Sequence, residues 1–396
     1  MAEEVLVIGA GPAGIACAWF LEQAGIRYRV VDRAGVIAST WASQYPTLRL
    51  NTSRFFSHMP GRKFPLSFGI FPTARQYHDY LERFVDDHQL NIHLNVEVYR
   101  VAPQDDGWYV ESSEGVAWYP AVVLATGRFS YPYQPPMPGI EQFSGQVLHS
   151  HDYKGAQDFA GQRVMVIGNG PSGVDIACAL TETVRLPVYL AQRTGIVLRP
   201  RYPYGLPKHA WMLLAEALPN RFTHWLDHKA QEAQYRHVER SGIKVPAPGQ
   251  ESGAAGTRGP ELIRAAQRGQ VQSVAVPVDF EDRTALLADG SHLELDTVIL
   301  ATGFYPKWDY LDIDFAVDEQ GLPVREPRDF PVYAGYKPHT GYEVEGHPGL
   351  YVAGIFYQGK GAMFNFNVEG EIIVQQIQSR LAQMPDREPS FVPEMA

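Results

Sequence analysis

Cysteine is nearly missing from this 396-residue chain: only Cys17 and Cys178 occur, and no C-x-x-C pair. That excludes dithiol redox chemistry and a disulfide framework. Long apolar runs are missing too, none approaching the roughly 18 residues of a membrane span. The chain opens MAEE and passes at once into a strand pattern, without the charged start and apolar stretch of a signal peptide. The expectation is a cytosolic protein with no membrane part. Basic charge is scarce, 34 Lys plus Arg against 44 Asp plus Glu, which leaves no basic surface for nucleic acid. The 13 histidines come without H-E-x-x-H or clustered carboxylates at ligand spacing, so no metal is expected.

What is present is glycine in two patterned places. VLVIGAGPAG runs from Val5 to Gly14 and VMVIGNGPSG from Val164 to Gly173, each an apolar strand entering G-x-G-x-x-G and followed by an Ala-rich helical pattern. Gly9 and Gly168 allow a tight strand-to-helix turn, Gly11 and Gly170 let a pyrophosphate approach the backbone, and Gly14 and Gly173 let helix and strand pack closely. With Pro12, Ala13, Pro171 and Ser172 they form two helix starts whose free N–H groups and dipoles hold phosphates without a charged side chain. One such motif is weak evidence; two describe a chain that binds two dinucleotides. The length exceeds one ordinary core and fits two domains, each α/β and Rossmann-like.

The first unit runs from strand Val5–Ile8 through a helix capped by Gly25 to strand Arg29–Val31, ending at Asp32. A carboxylate there accepts ribose hydroxyls and repels a 2′-phosphate, which suits FAD. At the matching strand end after Val188–Ala191 stand Gln192, Arg193 and Thr194; the Arg193 fork and the Thr194 hydroxyl suit the 2′-phosphate of NADPH. Short strands are expected over Asn95–Ala102, Trp108–Ser112 and Trp118–Leu124, ending in Leu124, Ala125, Thr126 and Gly127. Val271–Val276, Ala285–Ala288 and Thr297–Leu300 repeat the plan, ending in LATGF. YPYQPPMP over Tyr131–Pro138 reads as a stiff crossing between domains, with a second near Pro323–Pro331. Strand character in Gly349–Ile355 and helical character in Val368–Leu381 then bring the chain back to the first domain. The expected division is residues 1–154 and 326–396 for an FAD domain, with an NADPH domain and small helical insertion over 155–325. Aromatic residues in 202–245, with Phe364 and Phe366, suit an apolar or aromatic substrate.

FSGQVLHSHDY carries Phe143, Gly145, His149 and Tyr153 in the F-x-G-x-x-x-H-x-x-x-Y/F pattern just ahead of the second glycine turn. Here the chain resembles the flavin-containing monooxygenases, a resemblance extended by RLNTSRFF around Asn51 and RTGIVLRPR over Arg193–Arg201, and spanning residues 1 to about 383. The resemblance implies that NADPH reduces FAD, that O2 forms a C4a-hydroperoxyflavin, and that one oxygen passes to a nucleophilic nitrogen or sulfur. It also implies FAD contacts at Arg33, Trp41, Val98 and Gln358. Asn51 is expected nearest the reacting flavin edge, since an amide both donates to and accepts from a peroxide without protonating it. His149 is expected to organise the domain junction. Baeyer-Villiger relatives carry Trp where Tyr153 stands, which favours heteroatom oxidation. Baeyer-Villiger or oxidative-decarboxylation chemistry stays open, as does a non-oxygenating FAD-dependent NADPH reductase or redox-responsive binding protein, and so does a homo-oligomer.

Overall fold

The structure is a computed structural model and describes residues 4–197, 202, 206, 229, 235–236, 238–246, 260–327, 341–355 and 361–384. The chain folds as two compact units: residues 1–43, 52–130 and 306–396 in one, 44–51 and 131–305 in the other. The divisions fall earlier than 154/155 and 325/326. Residues Gln146–His149 form a strand of the second sheet, and Trp308, Leu311 and Leu322 join the first unit's core.

In the first unit β1 (Val5–Ile8), β2 (Tyr28–Asp32), β3 (Ile92–Leu94), β7 (Val122–Leu124) and the returning β18 (Leu350–Val352) make a parallel sheet in the order β18-β7-β1-β2-β3. β4 (Val98–Gln104), β5 (Gly107–Ser112) and β6 (Gly115–Tyr119) form an antiparallel meander. β8 (Tyr131–Pro132) pairs with β17 (Phe304–Tyr305) within the second unit. That unit's main sheet holds β9 (Gln146–His149), β10 (Val164–Ile167), β11 (Val188–Ala191), β12 (Val271–Val274) and β16 (Thr297–Leu300), in the order β12-β11-β10-β16-β9, again parallel. Its meander is β13 (Pro277–Glu281), β14 (Thr284–Leu287) and β15 (His292–Glu294). The duplication read from the sequence is therefore present strand for strand, with the fifth strand supplied after the core strands in one unit and before them in the other.

Both sheets bury their central strands completely, β1 and β10 showing no exposed position, as expected of parallel sheets covered on two faces. Helix α1 (Pro12–Gln23) follows β1 and ends with Gly25 at φ +65°. α2 (Ser39–Ala42) and α3 (Ala74–His88) follow in the first unit. α4 (Pro171–Leu180) follows β10, and α5 (Pro260–Gln267) precedes β12. The last helix, α6 (Ala362–Leu381), packs on α1 at Gly370, where a Cβ would stand 3.2 Å from the Ala16 and Cys17 backbone. The strand expected over Asn95–Ala102 begins only at Val98, as β4, and β3 precedes it unannounced, the two divided where Asn95 takes a left-handed conformation at φ +60°. Trp118–Leu124 is likewise split, Pro120 separating β6 from β7. Burial pushes the Cys178 thiol up to about 12 and the Cys17 thiol higher, with Glu369 adding to the latter. Neither is a nucleophile at neutral pH.

Candidate cofactor and active site

The two glycine turns have the same backbone. Gly9 and Gly168 adopt φ +113° and +114°, and a Cβ on either would meet the Ala125 or Ala301 carbonyl oxygen at 2.4 and 2.3 Å. A Cβ on Gly14 would lie 1.9 Å from the Gly9 oxygen, and on Gly173 2.0 Å from the Gly168 oxygen. Of the six glycines in the two turns, Gly11 and Gly170 alone face open space, with nothing within 4 Å of an added Cβ. The cradle is thus closed where the chain packs on itself and open where a phosphate would approach. α1 and α4 begin at Pro12 and Pro171 after glycine N-caps, with no side chain bonded to the first turn. Their leading N–H groups can receive an anion. Pro12, Ala13, Pro171 and Ser172 lie in those first turns.

The strand ends differ. Asp32 accepts from Ala10 N at 2.7 Å and Ala34 N at 2.8 Å, so its carboxylate ties strand end to glycine turn and keeps further lone pairs for a ribose. In the second unit the tie runs the other way: Asn169, inside the glycine turn, donates through Nδ2 to the carbonyls of Thr194 (2.7 Å) and Gly195 (2.9 Å). That leaves the Arg193 and Thr194 side chains exposed. Lys244 Nζ reaches the Arg193 carbonyl at 3.1 Å, and Ile196 N donates to the Lys244 oxygen at 2.9 Å. Asn169 had a sequence signal, being the polar residue inside a G-x-G. Lys244 had none, because only the fold brings its segment beside Arg193.

Ala125 and Ala301 repeat the correspondence, each donating to the carbonyl that closes the glycine-bearing strand, Ile8 or Ile167, at 2.8 Å. Thr126 follows with its carbonyl bonded by Ser130 Oγ at 2.7 Å, and Gly127 turns at φ +74°. Trp41 meets Tyr77 edge-on at 4.8 Å, Arg33 is exposed, and Val98 packs beside the first unit's core. Gln358 lies outside the described residues, as do Tyr204, Trp211, Phe222 and Trp225. Phe364 meets Phe56 edge-on at 6.1 Å, and Phe366 is buried. Asn51 Oδ1 is buried and has no partner.

The F-x-G-x-x-x-H-x-x-x-Y residues build the second unit's sheet edge and core. Phe143 packs edge-on against Phe280 at 5.7 Å, and a Cβ on Gly145 would stand 2.5 Å from the Asp296 oxygen. Tyr153 stacks on Phe159 at 5.8 Å. His149, ending β9, is 1% exposed; its Nδ1 accepts from His151 N at 3.1 Å, and burial lowers its pKa, so the ring is neutral near pH 7. Among the described residues His78, Asp79 and Glu82 bring possible ligand atoms within 4.8 Å of one another on α3, and this site is empty.

A family profile described as pyridine nucleotide-disulphide oxidoreductase matches residues 6–202. A probable indole-3-pyruvate monooxygenase YUCCA8 of Arabidopsis thaliana is 30% identical over 326 residues, covering 76% of this chain and 76% of that protein. The chain belongs to the flavin-containing monooxygenase family. This family member also shares its fold with a flavin-containing monooxygenase from Stenotrophomonas maltophilia, at TM-score 0.69 and 23% identity over 96% of this chain and 99% of the other. An NADP-bound steroid monooxygenase superposes at TM-score 0.74 and 18% identity over 96% and 86%. As a member of the family the protein is a flavoprotein monooxygenase, with FAD and NADPH as cofactors. The open cradles at Gly11 and Gly170 fit those two groups. Among the described residues no helix is long and apolar enough to cross a membrane.

Proposed function

We propose that FAD is held in the first unit and NADPH in the second, and that the enzyme uses O2 to oxygenate a small molecule at nitrogen or sulfur. When bound, the two cofactors supply the electrons that reduce O2, one oxygen atom forming a bond to the substrate heteroatom and the other leaving as water. The observation that carries this reading is the changed strand end: Gln192 stands where the first unit has its acid, and exposed Arg193 and Thr194 follow it, with the Lys244 ammonium at the Arg193 carbonyl. Arg193 offers a planar pair of donors to a 2′-phosphate that Asp32 would repel. At the other cradle the backbone N–H groups of α1 hold the FAD pyrophosphate and Asp32 the ribose. Arg33, Trp41, Val98 and the Ala125–Gly127 turn complete that site.

Asn51 is the side chain we assign beside the reacting oxygen. Its buried, unpaired Oδ1 leaves an acceptor, and the amide N–H a donor, for a group that must be held without being protonated. The apolar or aromatic substrate class rests on Phe56 and Phe364, which meet edge-on in the first unit, with Phe366 buried two residues on.

A second reading has a specific observation behind it, since the Arabidopsis relative is named for indole-3-pyruvate. It is oxygen transfer to a 2-oxo acid with loss of carbon dioxide. Incubation with NADPH and O2 separates the two: a thioether or tertiary amine giving one oxide per NADPH supports the first, and carbon dioxide from indole-3-pyruvate with no oxide formed supports the second. Asn51→Ala should keep NADPH oxidation while the product-to-peroxide ratio falls roughly 10-fold. Parallel loss of both activities with loss of FAD would make Asn51 structural.

A further inference from the structure

Gln192 is the odd residue of the second unit. Val31 pairs with Ile8 and Ala191 with Ile167, so the next residues, Asp32 and Gln192, hold the same register position beside their glycine turns. Asp32 has both carboxylate oxygens engaged by backbone N–H groups. Gln192 is 3% exposed, its backbone N donates to the Val274 oxygen at 3.2 Å, and neither atom of its side-chain amide has a partner. Asn169, the polar residue of the adjoining glycine turn, donates instead to Thr194 and Gly195.

A buried primary amide left wholly unpaired is costly, and buried polar groups are otherwise bonded. Leucine of similar volume would fill the same space without that cost. An amide kept there points to a ligand that completes it, and the strand end beside a glycine turn is where a dinucleotide presents its adenosine ribose. The amide offers donor and acceptor together, matching ribose hydroxyls that do both. It also carries no charge. A carboxylate here would serve a ribose equally well but would oppose a phosphate held next door by Arg193.

We infer that Gln192 is the ribose-recognising residue of the second dinucleotide site, and that its neutrality is what admits a 2′-phosphate beside Arg193. The inference rests on the reading that NADPH binds in the second unit. Adenosine 2′,5′-bisphosphate and ADP, titrated calorimetrically into the FAD-loaded enzyme, test it without catalysis. Gln192→Leu should weaken both probes roughly 10-fold, the loss of about one to two neutral hydrogen bonds, while the melting temperature without probe stays the same or rises. Gln192→Glu should weaken the bisphosphate at least 10-fold more than ADP. Unchanged affinities in Gln192→Leu, or a lowered melting temperature with both probes still bound as in the parent, would overturn the role of Gln192. If the parent enzyme binds the bisphosphate no better than ADP but Gln192→Leu loses both, the coenzyme assignment fails and the ribose contact stands.

Discussion

The two glycine turns were built to one backbone plan and then wired in opposite directions. In the first, the strand-end side chain reaches back to the turn, Asp32 accepting from Ala10 N. In the second, the turn reaches forward to the strand end, Asn169 donating to Thr194 and Gly195. The backbone is shared because sterics leave no alternative at Gly9, Gly14, Gly168 and Gly173. The side chains are free to differ, and at the strand ends they do: Asp32 in one unit, Gln192, Arg193 and Thr194 in the other.

The comparison breaks most forcefully at the closed glycines. Gly14→Val and Gly173→Val drive a side chain into a backbone carbonyl and should each cost about 3 kcal/mol, lowering the melting temperature by about 6–12 °C. Compared without cofactor, Gly11→Ala and Gly170→Ala should stay within about 0.5 kcal/mol of the parent. They separate the two sites, since the first should lose FAD colour and the second keep it while NADPH binding weakens. Equal melting curves across all four variants would refute the cradle geometry.

Arg193→Ala comes next. Removing a charge-assisted contact of about 1.5–3 kcal/mol should lower kcat/KM for NADPH roughly 10- to 150-fold and leave NADH nearly unchanged. An equal loss with both coenzymes would reduce Arg193 to a surface charge. A smaller effect is expected of Asp32→Leu, which removes the acceptor of two backbone donors and should cost about 1–2 kcal/mol in urea unfolding. Gln192→Leu should cost nothing, so similar destabilisation by the two leucines would erase the asymmetry between the strand ends.

The smallest effect concerns His149. Burial holds its imidazole below the ordinary 6.5, so its contribution to stability is full above that value and is lost as the pH falls through the depressed folded one. His149→Gln should flatten the fall of the urea midpoint between pH 7 and pH 5. A slope identical to the parent's would mean the ring titrates normally.

Much of this architecture was legible because each turn declares itself in glycine spacing and each core strand in an unbroken apolar run, as in Val5–Ile8 and Thr297–Leu300. β3 escaped notice: Ile92–Leu94 is three residues with a histidine in the middle, too short for any period to show. The break at Asn95 escaped for a related reason, since a left-handed residue interrupts a strand without changing its hydrophobic pattern. Glu369 was hidden by its charge. It is wholly buried and accepts from Gly354 N at 2.6 Å, yet a glutamate in a helix reads as solvent-facing. The spacing Phe366, Glu369, Ile373, Ile377 would have placed it on the inner face. At the candidate site the glycines and Asp32 could be read directly, whereas the unpaired amide of Gln192 and the approach of Lys244 exist only once distant segments have met.

Glycine caps that leave the first turns of α1 and α4 unbonded have a meaning for the life of the chain in the cell. A glycine cap in place of a side-chain cap forfeits a few tenths of a kcal/mol, and here that deficit occurs once in each unit. Whatever occupies the cradles acts as the missing cap, so cofactor supply becomes a term in folding yield. At a hundredfold excess over its dissociation constant a cofactor adds about 2.7 kcal/mol to the folded state. A cell short of flavin or nicotinamide would therefore hold less of this protein, because the empty chain opens more often and is cleared faster.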